Sequence, residues 1–261
     1  MKLTCDTIIR NAVVIDGSGA PVTSKADVAI CGDSIWKIAP SLEFDAADSI
    51  DAEGLALAPG FIDAHTHDDT NVIRAPAMLP KLSQGVTTVI VGNCGISAAP
   101  VSLRAEPPDP MNLLGAGEDF RYPTFASYVK AVQNARPAVN AAALVGHTSL
   151  RNNHMDRLDR PATGAEISAM RAQLQEGLDH GALGLSTGLA YLSANAAPTD
   201  EVLALAKPLA AAGALYATHL RSEAKAVLEA MDEAFTIGRR SAAPTIISHL
   251  KCAGIDNRGA K

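Results

Sequence analysis

The first part of the chain alternates apolar and polar residues in short runs, with the period of two that is typical of strands in a sheet. Asp16 and Gly17 end the first run, and Gly32 with Asp33 separates two further runs as a hairpin turn would. No long helical period interrupts this stretch. The pattern predicts a small β-unit over residues 1–57 without a long helix.

After residue 57 the period changes. Short apolar runs alternate with helical segments, which indicates βα units that build a parallel sheet. The runs predict six strands, over residues 57–63, 86–92, 140–146, 181–187, 213–219 and 244–250. The segments between them predict helices over residues 73–84, 125–135, 163–181, 199–213 and 222–240. Residues 100–123 are rich in Pro and Gly and show no period, so we expect a long loop there, of the kind that is often functional.

Six strands are fewer than the eight that close a βα barrel. The pattern over residues 58–261 therefore predicts either an open parallel sheet or part of a longer barrel. In a barrel, the carboxyl ends of the strands form the catalytic mouth. Side chains at these strand ends are consequently the first candidates for chemistry.

Composition and charge narrow the function classes. The formal net charge is −6 and no run of Lys or Arg occurs, so we expect no nucleic-acid partner. No apolar run approaches the roughly 18 residues of a membrane span, and the N-terminus lacks the apolar segment of a signal peptide. We therefore predict no membrane association and a cytoplasmic location. The cysteines lack a disulfide spacing and are expected to be free thiols or ligands.

A pair of histidines ends the first strand of the predicted parallel sheet. His65 and His67 are two positions apart, and side chains at i and i+2 of a strand point to the same face. Two imidazoles that face one space suit a divalent metal, most often zinc. The pair alone is a weak signal, because one histidine could be a hydrogen-bonded core residue and the other exposed.

Further metal-ligand residues occur where other predicted strands meet their loops. Cys94 follows the second strand, His219 ends the fifth and His249 ends the sixth. Each alone has an ordinary explanation, since free cysteine is commonly a small buried residue and a histidine can be hydrogen-bonded in a core. Their shared position at strand ends favours a common metal site. His147 follows the third strand and is either a further contact of this site or a loop residue.

Several stretches together resemble the amidohydrolase superfamily, and in particular its N-acyl-D-amino-acid deacylase (D-aminoacylase) branch. They are PGFIDAHTHDD, QGVTTVIVGNCGISAAP, LVGHTSLR, GALGLSTGLAYLSA, THLRSE and SHLK. GNCGIS together with STGLAY is specific, whereas the spaced histidines alone are not. The resemblance implies an α/β fold: a (β/α)8 TIM-like metal-dependent hydrolase barrel, about six strands of which lie in residues 58–261. It also implies that residues 1–57 are part of a small β-sandwich.

The resemblance also implies a ligand set. The fourth strand, in GALGLSTG, offers no lysine to bridge two metals, and Cys94 matches the cysteine that takes this place in the deacylase branch. By that resemblance Cys94, His219 and His249 hold a tight zinc ion, and His65 with His67 lines a second, weaker site. The implied reaction is zinc-dependent hydrolysis of N-acyl-D-amino acids to a carboxylate and a free D-amino acid.

Other positions are expected to bind the small-molecule substrate. Lys251 is the best candidate for the substrate carboxylate, and Arg221 is a weaker one because it could instead form a surface salt bridge. Tyr191 could donate to the substrate or simply pack, and His147 is a further candidate. Leu250 stands where the branch usually has a second histidine, which puts that contact in doubt.

The length of the chain bears on its function. Family members are much longer, so we expect an N-terminal portion whose general-base aspartate lies beyond Lys261. Exposed strand edges and apolar barrel interior would then favour self-association or pairing with a missing C-terminal portion. A cyclic-amide hydrolase of the dihydroorotase or hydantoinase type is the nearest rival, although the missing fourth-strand lysine argues against it. A non-catalytic metal-binding remnant is the third possibility.

Overall fold

The computed structural model describes residues 3–255, and the chain divides after Gly60 into two compact units. The first unit is a single five-stranded sheet. Its strands are β1 (Leu3–Val14), β2 (Thr23–Cys31), β3 (Ser34–Ala39), β4 (Phe44–Asp51) and β5 (Ala56–Leu57). The order is β3-β2-β1-β4, with β5 also paired to β1. The predicted hairpin is confirmed, because Cys31 lies opposite Ser34 across an antiparallel pair.

The second unit is built on parallel strands. They are β6 (Phe61–Asp63), β7 (Val86–Val91), β8 (Asn140–Ala143), β9 (Val145–Gly146), β10 (Gly184–Gly188), β11 (Leu215–His219) and β12 (Thr245–Ile247). Two sheets result, with orders β6-β7-β8 and β9-β10-β11-β12. Every strand pair in them is parallel, as the alternation of strands and helices predicts.

The two parallel sheets meet at Leu144, which separates β8 from β9. Its N–H donates to the carbonyl of Val91 at 2.9 Å, and the N–H of Leu183 donates to the carbonyl of Ala143 at 2.8 Å. The predicted third strand is therefore one run with a single interruption. All six predicted strands are present, and within residues 3–255 the strand order starts at β6 and ends at β12.

Helices connect these strands. They are α1 (Asn71–Arg74), α2 (Leu79–Leu82), α3 (Phe125–Ala135), α4 (His147–His154), α5 (Gly164–Asp179), α6 (Thr199–Ala206) and α7 (Val227–Ser241). The start of α5 follows the sequence closely: Thr163 Oγ1 accepts the N–H of Glu166, and Glu166 Oε2 accepts the N–H of Thr163. Among residues 3–255, no helix is both long and apolar enough to span a bilayer.

Three helix predictions need correction, the first being the helix expected over residues 222–240, which begins only at Val227. The single helix expected over residues 73–84 is wrong, because Ala75 leaves the helical region just before Pro76 and Met78 adopts a left-handed conformation. The helix expected over residues 199–213 ends at Ala206, two residues before Pro208, which lacks the N–H needed to continue it. Helix α4 is absent from the sequence predictions, because Leu150 is the only apolar residue in its stretch HTSLRNNH.

The main core lies where helices α5 and α6 pack against β10 and β11. Met170, Leu174, Leu185, Leu205 and Tyr216 are all fully buried in it. Residues 100–123 form the expected long loop, with only two short 3-10 turns, Met111–Leu113 and Gly117–Asp119. The sequence pattern therefore places the strands and the loop that frame the site.

Candidate metal centre

The structure gathers the predicted donors at the carboxyl ends of four strands. Cys94 Sγ lies 3.3 Å from Nε2 of His65, 3.7 Å from Nδ1 of His219 and 3.2 Å from Nε2 of His249. The donor atoms of Cys94, His219 and His249 are all within 4.8 Å of one another. Residues far apart in the chain thus share one small space.

His67 belongs to a second group of donors that also includes the cysteine. The donor atoms of His65, His67 and Cys94 also lie within 4.8 Å of one another, so Cys94 belongs to both sets. The two histidine rings of this group stand nearly perpendicular, with centroids 5.4 Å apart. Within residues 3–255, Nδ1 of His67 is buried without a hydrogen-bond partner. A buried imidazole nitrogen without a partner is a cost that a bound cation would remove.

The backbone at Cys94 is unusual and is held by its neighbours. Cys94 has a φ of 56°, and Gly92 and Gly95 on either side also lie in the left-handed region. A Cβ on Gly92 would lie 2.1 Å from the carbonyl oxygen of Leu144, so only glycine fits there. Ser186 Oγ accepts the N–H of Gly95 at 3.0 Å and donates to the carbonyl of Gly92.

Gly188 explains why the GNCGIS and STGLAY stretches occur together. A Cβ on Gly188 would lie 2.1 Å from the carbonyl oxygen of Cys94 and 2.6 Å from the ring of Tyr191. Ser186, two positions earlier, holds the cysteine loop by the bonds just described. The second stretch therefore provides the surface on which the first adopts its strained conformation.

The electrostatics of the site favour neutral imidazoles. Burial, with the nearby His249 and His67, lowers the pKa of His65 to about 4. Burial also lowers the pKa of His67 and of His219. At neutral pH these rings keep the lone pairs that bind a metal. Burial raises the pKa of the Cys94 thiol to about 11, so a nearby cation is what would make it a thiolate.

A lysine network that the sequence prediction missed supports the histidine pair. Lys81 Nζ lies 2.6 Å from Asp63 Oδ2 and 3.1 Å from Asp68 Oδ2. Asp63 in turn accepts the backbone N–H of His65 at 3.2 Å. The two carboxylates raise the pKa of Lys81 although burial alone would lower it. Lys81 lies inside the region predicted as one helix, where a lysine is usually a solvated residue, so no sequence signal pointed to it.

Asp69 ties the histidine segment to the cysteine loop from inside. Its side chain is fully buried, and Oδ1 accepts the N–H of Ala98 at 3.2 Å, while Oδ2 has no hydrogen-bond partner among the described residues 3–255. Its backbone carbonyl accepts the hydroxyl of Tyr128 at 2.8 Å. Burial raises the pKa of Asp69 to about 7.

Two of the predicted substrate contacts lie beside the donors. Tyr191 Oη is 3.4 Å from Nδ1 of His219, and burial together with Cys94 raises the pKa of this phenol well above its usual value. Lys251 is half-exposed, and its Nζ lies 2.9 Å from Oε2 of Glu223. The same oxygen is 3.6 Å from Nε2 of His219. Glu223 thus connects a donor to a candidate substrate contact. Its position four residues after His219 was the only hint in the sequence.

Arg221 is engaged elsewhere. Its guanidinium donates to both carboxylate oxygens of Glu233 at 2.8 Å, and to the carbonyls of Asn195 and Ala197 at 2.9 Å. The salt bridge weighed as the alternative is therefore present, although it is half-buried and not on the surface. The substrate contact of Arg221 stays a prediction.

His147 is not a loop residue, so that alternative is wrong. It opens helix α4 directly after β9 and is fully buried. Its Nε2 lies 3.0 Å from Glu201 Oε1, and the same carboxylate oxygen pairs with the fully buried Arg151. In the part of the chain that the structure describes, Nδ1 of His147 has no hydrogen-bond partner. The role of His147 in substrate binding stays a prediction.

The family follows from the sequence profile. The profile of the amidohydrolase family, Amidohydro_3, matches residues 48–248. The chain belongs to the amidohydrolase family. This amidohydrolase is 50% identical over 255 residues to an N-acyl-D-aspartate deacylase of Alcaligenes xylosoxydans xylosoxydans, covering 97% of this chain and 51% of the relative. A D-aminoacylase of the same organism is 45% identical over 254 residues, covering 97% and 52%. The chain spans about half the length of these curated relatives.

Solved structures agree with this assignment. A crystal structure of D-aminoacylase superposes with a TM-score of 0.94 at 45% identity, over 98% of this chain and 53% of that chain. An N-acyl-D-glutamate deacylase from Bordetella bronchiseptica, complexed with zinc and a phosphonate inhibitor, gives 0.92 at 39% identity, over 99% and 54%. An L-hydantoinase from Arthrobacter aurescens gives 0.58 at 16% identity, covers 93% of this chain and 52% of that chain, and shows a shared fold only. The resemblance to the deacylase branch is confirmed.

Proposed function

We propose that this amidohydrolase hydrolyses the amide bond of N-acyl-D-amino acids, releasing a carboxylate and a free D-amino acid. The observation that carries the proposal is the position of the Cys94 sulfur among three imidazole rings. The deacylases to which the chain is similar act, by their names, on N-acylated D-amino acids and provide the substrate class.

We assign zinc to this cluster. Thiolate and imidazole are the donors that zinc prefers, and the unpartnered Nδ1 of His67 fits a site that takes a cation. In the proposal Cys94, His219 and His249 hold a tight ion, while His65 and His67 line a second, weaker site. The D-aminoacylase structure described as having a binuclear metal centre, with one-metal activation and second-metal attenuation, supports two sites of unequal role.

A bound divalent cation would polarise the acyl carbonyl and make an attacking water more acidic. The chain's own residues bind and orient the substrate. In the proposal the Lys251 ammonium pairs with the substrate carboxylate. The Tyr191 hydroxyl, which is protonated at neutral pH, donates a hydrogen bond to the substrate. Glu223 holds the Lys251 ammonium near the donors. His147 and Arg221 are proposed to act on the substrate only through the elements that they hold.

The general base is proposed to be an aspartate outside these 261 residues, as the resemblance implies. The aspartates near the donors have other roles. Asp63 and Asp68 are paired with Lys81, and Asp69 is enclosed beneath the cysteine loop.

The remaining architecture is part of the same proposal. Residues 58–261 would be six strands of a (β/α)8 barrel, and residues 1–57 part of a small β-sandwich. Phe61 and Ile62 of β6 and Ile246 of β12 are exposed, at 67%, 66% and 48%. Apolar residues on strands at both ends of the order support pairing of these edges with further strands, from a C-terminal portion or from a second copy of the chain. The cytoplasmic location stays a prediction.

The rival reactions are less well supported. A cyclic-amide hydrolase is disfavoured because β10, Gly184–Gly188, carries no lysine and because the hydantoinase similarity reaches only the fold. A non-catalytic metal-binding remnant differs from the deacylase in one outcome: it gains no activity when the chain is co-expressed with the C-terminal portion of a deacylase.

The test combines metal analysis with an assay. Purified wild type, Cys94→Ala and the control Cys31→Ala would be compared for zinc content and for release of D-methionine from N-acetyl-D-methionine, alone and after co-expression with a deacylase C-terminal portion. We expect zinc in the wild type and in Cys31→Ala, and loss of zinc in Cys94→Ala. We also expect turnover only in the co-expressed samples that hold zinc. Equal zinc content in all three proteins would contradict the assignment, and so would turnover that is unaffected by Cys94→Ala.

A further inference from the structure

The loop that carries Tyr191, residues 189–198, is held by two arginines from other elements. Arg221, which follows β11, donates to the carbonyls of Asn195 and Ala197 at 2.9 Å. Arg151, on α4, donates to the carbonyl of Ser193 at 3.2 Å. Three carbonyls on one side of a short loop are thus bound by fixed cations.

Each arginine is itself fixed by a glutamate on a helix. Both carboxylate oxygens of Glu233, on α7, pair with Arg221 at 2.8 Å, and Glu233 also accepts the hydroxyl of Thr199 at 2.7 Å. Thr199 is the first residue of α6, so the same carboxylate also holds the point where the loop ends. Glu201, on α6, pairs with Arg151 through Oε1 alone.

The donor count argues against a direct substrate contact for Arg221. A guanidinium has five N–H donors in a planar fork, and the contacts above use four of them. A two-oxygen contact to a substrate carboxylate would require some of these bonds to break. Lys251 is more exposed and has a single carboxylate partner among the contacts of residues 3–255.

We propose that Arg221, together with Glu233, is a positioning residue that fixes the loop of residues 189–198 and thereby places the hydroxyl of Tyr191 beside the metal donors. The inference rests on the proposed function only in taking Tyr191 as a substrate contact. In this proposal Arg221 keeps the hydroxyl of Tyr191 at its distance of 3.4 Å from Nδ1 of His219.

The first test reads Tyr191 directly. The chain has four tyrosines, so protein labelled with 13C at the tyrosine ζ carbon gives few signals, and Tyr191→Phe identifies that of Tyr191. Arg221→Lys keeps the charge but cannot make the forked contacts. We expect it to shift or broaden the Tyr191 signal and to leave those of Tyr122 and Tyr128 unchanged, in zinc-loaded and zinc-free protein alike.

The second test reads the loop. Hydrogen exchange of residues 189–198 should become about tenfold faster or more in Arg221→Lys and in Glu233→Gln, because bonds to charged groups are lost. The control is Arg157→Lys, in an exposed pair with Asp159, which should change nothing in this loop. An unchanged Tyr191 signal in Arg221→Lys, or unchanged loop exchange in both variants, would overturn the proposal.

The third test separates positioning from direct contact in an active preparation. If Arg221 acts through Tyr191, the rise in KM of Arg221→Lys should largely vanish in the Tyr191→Phe background. Full additivity of the two substitutions would show a direct contact and overturn the proposal. The first two tests need no turnover, so they can be interpreted even if the proposed function is wrong.

Discussion

The sulfur of Cys94 lies 3.2 Å from Nε2 of His249, although 155 positions separate the two residues in the chain. The contact exists because parallel strands bring their carboxyl ends to one edge, and the two residues lie in the loops that follow β7 and β12. The imidazoles of His65 and His219, at the ends of β6 and β11, contact the same sulfur.

The two donor sets should differ in strength. His219→Ala removes a ligand of the proposed tight site, so zinc affinity should fall by roughly two orders of magnitude or more. His67→Ala should leave one equivalent of zinc in place. Competition with a zinc chelator, followed by elemental analysis, measures both. If the two variants lose zinc equally, the assignment of a tight and a weak site is wrong.

His65 should make metal-free protein less stable as the pH falls from about 6.5 to about 4. The ordinary pKa of a histidine is about 6.5, whereas that of His65 in the folded state is about 4. Between these values this imidazole binds more protons in the unfolded chain, so its contribution to the free energy of unfolding decreases with decreasing pH. Asp69 contributes in the opposite direction, because burial raises the pKa of its carboxyl to about 7. The measurement is therefore a comparison of urea midpoints for the wild type and His65→Asn across this range: the wild type should lose more stability than the variant as the pH falls, and an equal loss would contradict the assignment to His65.

Lys81→Met should lower the stability of the segment that carries His65 and His67. It leaves the carboxylates of Asp63 and Asp68 without their cation, at an expected cost of about 1–3 kcal/mol in the free energy of unfolding. Zinc at the weaker site should be lost first, because Asp63 positions the backbone of His65. Lys130→Met, at an exposed position of α3, is the matched control and should change little. Equal stability and zinc content in the two variants would refute this role.

Gly188→Ala should destabilise the protein strongly, although it adds only one methyl group. The added Cβ would lie 2.1 Å from the carbonyl oxygen of Cys94, where neither backbone can yield cheaply. We expect a loss of about 2 kcal/mol or more and a lower zinc content. Gly164→Ala, where nothing lies within 4 Å of the new Cβ, should be neutral or slightly stabilising. Thermal unfolding of both variants decides the point, and similar midpoints would show that the cysteine loop is not held as described.

The sequence predicted what depends on local pattern. The apolar runs located the strands, and a donor at a strand end could be assigned to the common edge before any coordinates. The capping box of Thr163 and Glu166 likewise located the start of α5, because both bonds are made within four residues. These features require only the period of the chain and the chemistry of neighbouring residues.

What the sequence could not predict depends on packing at a distance. Lys81 was not singled out in the sequence, Glu223 had only its spacing from His219, and Arg221 was expected either at a substrate carboxylate or in a surface salt bridge. The observed contacts of Lys81 and Arg221 are with residues 12 to 26 positions away. Helix α4 was missed for a related reason. Its polar stretch is buried where Glu201 of α6 pairs with Arg151, a contact between residues 50 positions apart.

The long loop of residues 100–123 has a consequence for altering this protein. Its ends are joined by the bond from the Val101 N–H to the Tyr122 carbonyl at 2.8 Å, and Met111, Leu114 and Phe120 pack with Ile96 in a small apolar cluster. Because Ile96 lies two residues after Cys94, and the Leu114 carbonyl accepts the hydroxyl of Thr70 at 2.6 Å, this loop is anchored to two of the segments that carry the donors. Exchange of the loop between related chains should therefore also disturb the donors, unless Ile96 and Thr70 are exchanged with it.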